Sequence, residues 1–86
     1  MRAGDLAAVP TVLKVGSARL FFYANETNEA PHVHVQTPHG KAKFWLRPVR
    51  IAGASELSAH ELRRLARIVE THENDLWKAW HGFFGI

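Results

Sequence analysis

The chain has 86 residues, a net charge of +3 and no cysteine. This length fits one small domain, and the lack of cysteine excludes disulfides, thiolate metal sites and cysteine nucleophiles. Because 47% of the residues are hydrophobic and no run resembles a signal peptide or a membrane span, we expect a soluble cytoplasmic protein with a packed core.

The start of the chain predicts a flexible tail followed by a β-hairpin. Residues 1–9 carry no regular apolar pattern and are assigned to the tail. Two β-prone runs, Thr11–Val15 and Ala18–Ala24, then flank a break at Gly16–Ser17. Two apolar runs around a two-residue break that contains Gly are typical of a hairpin.

A loop and further strands follow the hairpin. Residues 25–31 are rich in Asn, Glu and Pro, which favour loops and turns. Polar and apolar residues alternate over His32–Thr37 and again over Lys41–Leu46, which predicts a third and a fourth strand. A short fifth strand is expected at residues 49–52, after Pro48.

The last third of the chain predicts one long helix. Ser58 followed three residues later by Glu61 is a capping box, a local signal for a helix start. Apolar residues then recur at spacings of three and four past His72, and Gly82 is a plausible stop. The predicted fold is α+β: an antiparallel four- to five-stranded meander with one long C-terminal helix on one face, in a single domain over residues 10–86.

Alternation also predicts which side chains share a sheet face. A two-residue turn at His39–Gly40 would place His34 opposite Trp45 and Val35 opposite Phe44. The apolar residues of both strands then face the helix. The other face would carry His32, His34, Gln36, Lys43, Trp45 and Arg47.

Positive charge is concentrated in the middle of the chain. Residues 41–67 hold seven basic and two acidic side chains, a balance of +5, and include the helical trio Arg63, Arg64 and Arg67. Such a surface suits a nucleic acid or an acidic protein, although a plain solvated surface is equally compatible with this charge. The predicted binding residues are therefore Gln36, Lys43, Trp45, Arg47, Arg63, Arg64 and Arg67.

The histidine face leaves two chemical alternatives open. Imidazoles suit general acid–base chemistry, so His32, His34, Lys43 and Arg47 are the candidate catalytic residues of a metal-independent ribonuclease. The His-x-His spacing also suits a metal, with His32, His34, Glu26 and Glu29 as candidate ligands. Metal binding is not favoured over hydrogen bonds that simply fix the loop, and no cofactor is expected.

Three segments resemble a family of small uncharacterised bacterial proteins that is labelled as a domain of unknown function. They are the FFY-x-N-E stretch from Phe21, the PHVHV segment from Pro31 and the AKFWL strand from Ala42. The resemblance covers roughly Pro10–Phe84. Ala30 stands where the family pattern has a second proline, and residues 1–9 are an extension.

The resemblance implies a two-gene context of the toxin–antitoxin type and carries over no catalytic residue. We therefore expect a cytoplasmic binding module that acts with a protein partner encoded nearby. RNA or DNA and a second copy of the chain are further partners to consider, and a membrane is not.

Overall fold

The computed structural model of the protein describes residues 8–26 and 28–85, with the side chains of residues 8–10 left aside. Five strands in chain order form one antiparallel sheet, β1 (Ala8–Val15), β2 (Ala18–Tyr23), β3 (His32–Gln36), β4 (Lys41–Leu46) and β5 (Val49–Ser55). Two helices follow, α1 (Ala59–Thr71) and α2 (Glu73–Phe84). None of the described helices has the length and apolarity that crossing a membrane requires.

The predicted α+β meander is confirmed, with five strands. β1 begins at Ala8, three residues before the predicted strand. Most of the predicted tail, residues 1–7, lies outside the described residues. The hairpin turn is where it was predicted, with Gly16 in the left-handed region at φ 58°, a conformation that glycine adopts without a steric penalty.

The prediction of one long helix is wrong, because the helix breaks at His72. The backbone there has φ −108° and ψ 17°, outside the helical region. The ring Nδ1 of His72 donates to the carbonyl of Ile68 at 2.9 Å, and the hydroxyl of Thr71 donates to that of Arg67 at 2.8 Å. These side-chain bonds occupy the last-turn carbonyls and compete with continued helix. His72 thus ends α1 and is only half-buried.

The predicted register of β3 and β4 is also wrong, by two residues. Val35 lies opposite Ala42, and Gln36 opposite Lys41. The turn therefore contains four residues, 37–40. It is held by the hydroxyl of Thr37, which accepts the amides of His39 and Gly40 at 3.1 and 3.2 Å. Because a shift of two preserves the side of every residue, the predicted faces are unchanged.

The core lies between one face of the sheet and the two helices. Its fully buried members include Phe22, Phe44, Leu65 and Trp80. Trp80 of α2 is central, with ring centroids 5.3 Å from Phe22 and 4.2 Å from Phe84. The opposite, outer face of the sheet carries the predicted polar set except Arg47, which lies in the β4–β5 turn, and this face leads to the site.

Ser58→Ala should lower the free energy of unfolding by about 0.5–2 kcal/mol. The Ser58 hydroxyl accepts the amide of Glu61 at 3.1 Å, and the Glu61 carboxylate accepts the amide of Ser58 at 3.5 Å. Chemical denaturation measures the change. Ser17→Ala, in the exposed β1–β2 turn, is the matched control and should change stability little. An equal loss in both variants would contradict the capping role.

Candidate metal centre

The loop between β2 and β3 brings an acidic side chain onto the histidine strand. The amide of Glu26 donates to the carbonyl of Tyr23 at 3.3 Å, and the amide of Glu29 donates to that of Glu26 at 3.2 Å. The chain therefore turns twice in succession. The second turn leads to Pro31, whose carbonyl accepts the amide of Leu46 at 3.1 Å and so aligns the start of β3 beside β4.

Glu26, His32 and His34 converge on one point. A single carboxylate oxygen, Oε1 of Glu26, lies 2.7 Å from Nε2 of His32 and also 2.7 Å from Nε2 of His34. The side chain of His32 is completely buried, whereas those of His34 and Glu26 are 17% and 20% exposed. The cluster is therefore closed on the His32 side and open to solvent on the other. Among the described residues it is the one group of three His, Asp or Glu whose ligand atoms gather this closely.

The tautomer of His32 is fixed by the backbone. Its Nδ1 lies 2.8 Å from the carbonyl oxygen of Ala30, which can only accept, so Nδ1 carries a proton. A neutral imidazole then presents a lone pair at Nε2, aimed at a carboxylate oxygen that also offers lone pairs. Two acceptors at 2.7 Å repel unless a proton or a metal cation lies between them.

Electrostatics keep the open half of the cluster able to bind a cation. Burial raises the pKa of Glu26, but the hydrogen bonds and charges of His32 and His34 outweigh it and hold that pKa below its usual value. Burial lowers the pKa of His34, against an opposing contribution from Glu26. At neutral pH the carboxylate is ionised and the His34 ring is neutral, which are the forms that bind metals.

Aromatic rings wall the cluster. Phe21 stacks on His34 at a centroid distance of 5.6 Å, and Tyr23 meets the same ring edge-on at 4.6 Å. Trp80 and Trp45 lie 4.9 and 5.6 Å from His32. Phe21, Tyr23 and Trp80 were not among the predicted site residues. Pairing β2 with β3 would have revealed two of them, since Phe21 lies opposite His34.

Glu29, the fourth predicted ligand, is directed elsewhere. Its Oε1 accepts the ammonium of Lys43 at 2.6 Å and stays 4.0 Å from Nδ1 of His32. Lys43 also lies over the ring of Trp45, 4.7 Å from the centroid. The structure therefore separates the two loop glutamates, one toward the histidines and one toward the lysine.

Arg47, a predicted catalytic residue, is occupied by α2. Its Nε donates to Glu73 at 3.0 Å, its terminal nitrogen donates to Asn74 at 3.1 Å, and its guanidinium lies 4.2 Å from the ring centre of Trp77. These contacts fix the first turn of α2 against the β4–β5 turn. Gln36, at the other end of β3, is exposed and pairs with Lys41.

The predicted arginine trio lies on the other side of the sheet. Arg63, Arg64 and Arg67 line a groove of about 460 Å³ together with Val15 and Ile68. Val15 pairs with the buried Ala18, so this groove opens on the helix side, whereas His34 faces outward. The trio does not extend the histidine surface.

A comparison with protein families identifies the chain's family. A family model described as "Domain of unknown function (DUF4160)" matches residues 18–81, a range that includes Glu26, His32 and His34. No curated protein and no solved structure matches the chain. The expected protein partner and two-gene context stay predictions.

Proposed function

The chain belongs to the DUF4160 family, and we propose that its function depends on one divalent transition-metal ion bound by Glu26, His32 and His34. The observation that carries the proposal is the Nε2 of His32, which lacks a proton in the neutral ring and lies 2.7 Å from a carboxylate oxygen. This departs from the sequence-based expectation of a binding module without metal or cofactor.

The donor atoms fit a metal after a small adjustment. With zinc bonds of about 2.0–2.1 Å, tetrahedral ligands lie roughly 3.3 Å apart. The carboxylate oxygen, now 2.7 Å from each nitrogen, would have to withdraw by about 0.6 Å. Glu26 lies on a loop and its side chain is partly exposed, so a rotation of that side chain suffices for this withdrawal. The ligand atoms of the cluster lie within 4.8 Å of one another, so the two histidine rings would also turn until their Nε2 atoms reach the roughly 3.3 Å spacing of tetrahedral ligands.

The contacts around the ligands are also those that metal sites use. A metal-bound histidine generally donates its other ring N–H to a carbonyl or carboxylate, which fixes the tautomer. The bond from Nδ1 of His32 to the carbonyl of Ala30, at 2.8 Å, supplies this contact. The buried rings of Phe21 and Trp80 reduce the local dielectric and so strengthen the attraction between a cation and the carboxylate.

Two imidazoles and one carboxylate leave at least one coordination position open. Three protein ligands with an open position are typical of catalytic zinc sites, whereas structural zinc sites use four. Nitrogen and oxygen donors without thiolate suit zinc and also iron or manganese. A metal here would polarise a bound water or a substrate oxygen, and it would be reached from the side of His34.

The metal-independent ribonuclease alternative lacks an unpaired cation among its predicted catalytic residues. Lys43 is paired with Glu29, and Arg47 with Glu73. Neither cation is therefore free to stabilise a developing negative charge. The two histidines and Glu26 remain, and in that case a proton would occupy the place of the metal.

Zinc titration of the chelator-treated protein tests the proposal. We expect calorimetry and elemental analysis to show one zinc ion per chain. His34→Ala should weaken zinc binding by about 100-fold or more, because loss of a ligand should exceed the 10–100-fold loss typical of residues that only support a ligand. His39→Ala is the matched control, because its side chain is 71% exposed and outside the cluster, and it should bind like the unaltered protein.

Two results would contradict the proposal. The first is a folded protein that takes up no zinc, cobalt, manganese or iron(II) at micromolar concentration, which would mean that a proton holds the cluster together. Alternatively, His34→Ala and His39→Ala could lose affinity equally, which would place the metal elsewhere.

A further inference from the structure

The outer face of β4 and β5 carries a row of cations beside the three proposed ligands. Outward-facing positions of β2–β5 include no acidic residue, and they hold Arg19, Lys41, Lys43 and Arg50. Lys41 and Arg50 are exposed. Two carboxylates lie beside this row: Glu29 pairs with Lys43, and Glu56 lines a cavity together with Lys41. This face is therefore complementary to a polyanion.

Two cavities lie along this row on either side of Lys43. One, of about 220 Å³, is lined by His34, Lys41 and Lys43 and by the small residues of β5. Through His34 it joins the row of cations to the proposed metal centre. Gly53 borders it without any atom within 4 Å of where a β-carbon would stand, so the cavity is open above β5.

The second cavity is aromatic. It measures about 250 Å³ and is lined by Trp45, Trp77, Arg50 and the chain at Ala30–Pro31. Both indoles are only partly buried, and each carries a cation on its face, Lys43 at 4.7 Å and Arg47 at 4.2 Å from the ring centre. Because each cation occupies one face of its indole, a planar base would stack on the other face, and such stacking does not depend on base identity.

We propose that this face binds a single strand of nucleic acid, with a base in the Trp45–Trp77 cavity and a phosphate at the exposed Lys41. The backbone then passes the open side of the Glu26–His32–His34 centre, and in this respect the inference rests on the proposed function. An acidic protein would match the charge but would leave the aromatic cavity unexplained. A duplex would offer phosphates but no unstacked base.

Fluorescence anisotropy with labelled 12-nucleotide strands of RNA and of DNA, on the zinc-treated protein, tests the inference. Trp45→Ala should weaken binding roughly 5- to 150-fold, the range for loss of one stacked base. Lys41→Ala should weaken it for all sequences and lower the salt dependence by about one phosphate contact. Arg64→Ala, in the separate groove on the helix side, is the matched control and should leave affinity unchanged.

The same samples separate this inference from the metal proposal. Zinc uptake without strand binding at low salt would overturn the inference and leave the metal proposal standing. Strand binding that depends on Trp45 but occurs without zinc uptake would support the surface and contradict the metal proposal. Loss of binding in Arg64→Ala would overturn the inference, and so would equal affinity for a duplex. Displacement of the strand by polyglutamate of equal charge would overturn it in favour of an acidic protein. Zinc binding by Trp45→Ala shows that this variant is folded.

Discussion

Zinc at a free concentration one hundred times its dissociation constant should raise the midpoint of thermal unfolding by roughly 10–20 °C. The proposed ligands come together only in the folded chain, because Glu26 reaches the histidines through two successive loop turns. Binding to the native state alone adds about 2.7 kcal/mol at this concentration. In a domain of this size each kcal/mol moves the midpoint by about 4–8 °C. Circular dichroism or calorimetry on metal-free and zinc-treated samples measures the shift.

Variants make this result specific to the site. His34→Ala should lose most of the shift, whereas His39→Ala should keep it. Magnesium at the same concentration should give little shift, because it prefers oxygen ligands and near-octahedral geometry. An equal shift in His34→Ala would show that zinc stabilises the protein at another place. No shift in the unaltered protein, despite uptake of one ion, would mean that the unfolded chain binds zinc as tightly as the folded one.

Much of the fold follows from local patterns in the sequence. The Ser58–Glu61 capping box marks the start of α1, and alternation identifies the inner and outer residues of β3 and β4. These predictions survive even though the register was two residues off, because sheet faces depend only on whether the shift is even. The register itself depends on the Thr37 hydroxyl, which accepts two turn amides. Other turns are compatible with the same residues.

The break between the helices could not be predicted from periodicity. The helical spacing of apolar residues continues past His72 without interruption, although the helix itself ends there. The break depends on a ring nitrogen bonded to the carbonyl of Ile68, and α2 is then held by Arg47, which is 26 residues from Glu73. Such a contact between distant residues leaves no periodic signal in the sequence.

The candidate site was predicted in its position but not in its chemistry. The His-x-His spacing places both rings on the outer face. The sequence could not choose between Glu26 and Glu29, because the loop turns decide which carboxylate reaches the rings. It also could not show that the carbonyl of Ala30 accepts Nδ1 of His32 at 2.8 Å, although this backbone bond sets the tautomer and is the main reason to favour a metal.

Trp80→Ala should lower the free energy of unfolding by about 3–5 kcal/mol, the usual cost of deleting a buried aromatic side chain. Trp80 is completely buried and touches Phe22, Phe84 and His32, so its removal leaves a cavity between α2, the sheet and the site. The total free energy of unfolding of a small domain is only about 5–15 kcal/mol. This single change should therefore remove a large share of the stability, as measured by urea denaturation.

Phe83→Ala is the matched control for Trp80→Ala, because Phe83 lies on the same helix and is 49% exposed. It should cost about 1 kcal/mol or less, as expected for a side chain largely in solvent. Trp80→Phe, which fills part of the cavity, should have a stability between the two. It should also weaken zinc binding, because the smaller ring packs less fully on His32 than the indole 4.9 Å from it. If Trp80→Ala were no less stable than Phe83→Ala, α2 could not be packed on the sheet as described, and the closed side of the metal centre would be lost with it.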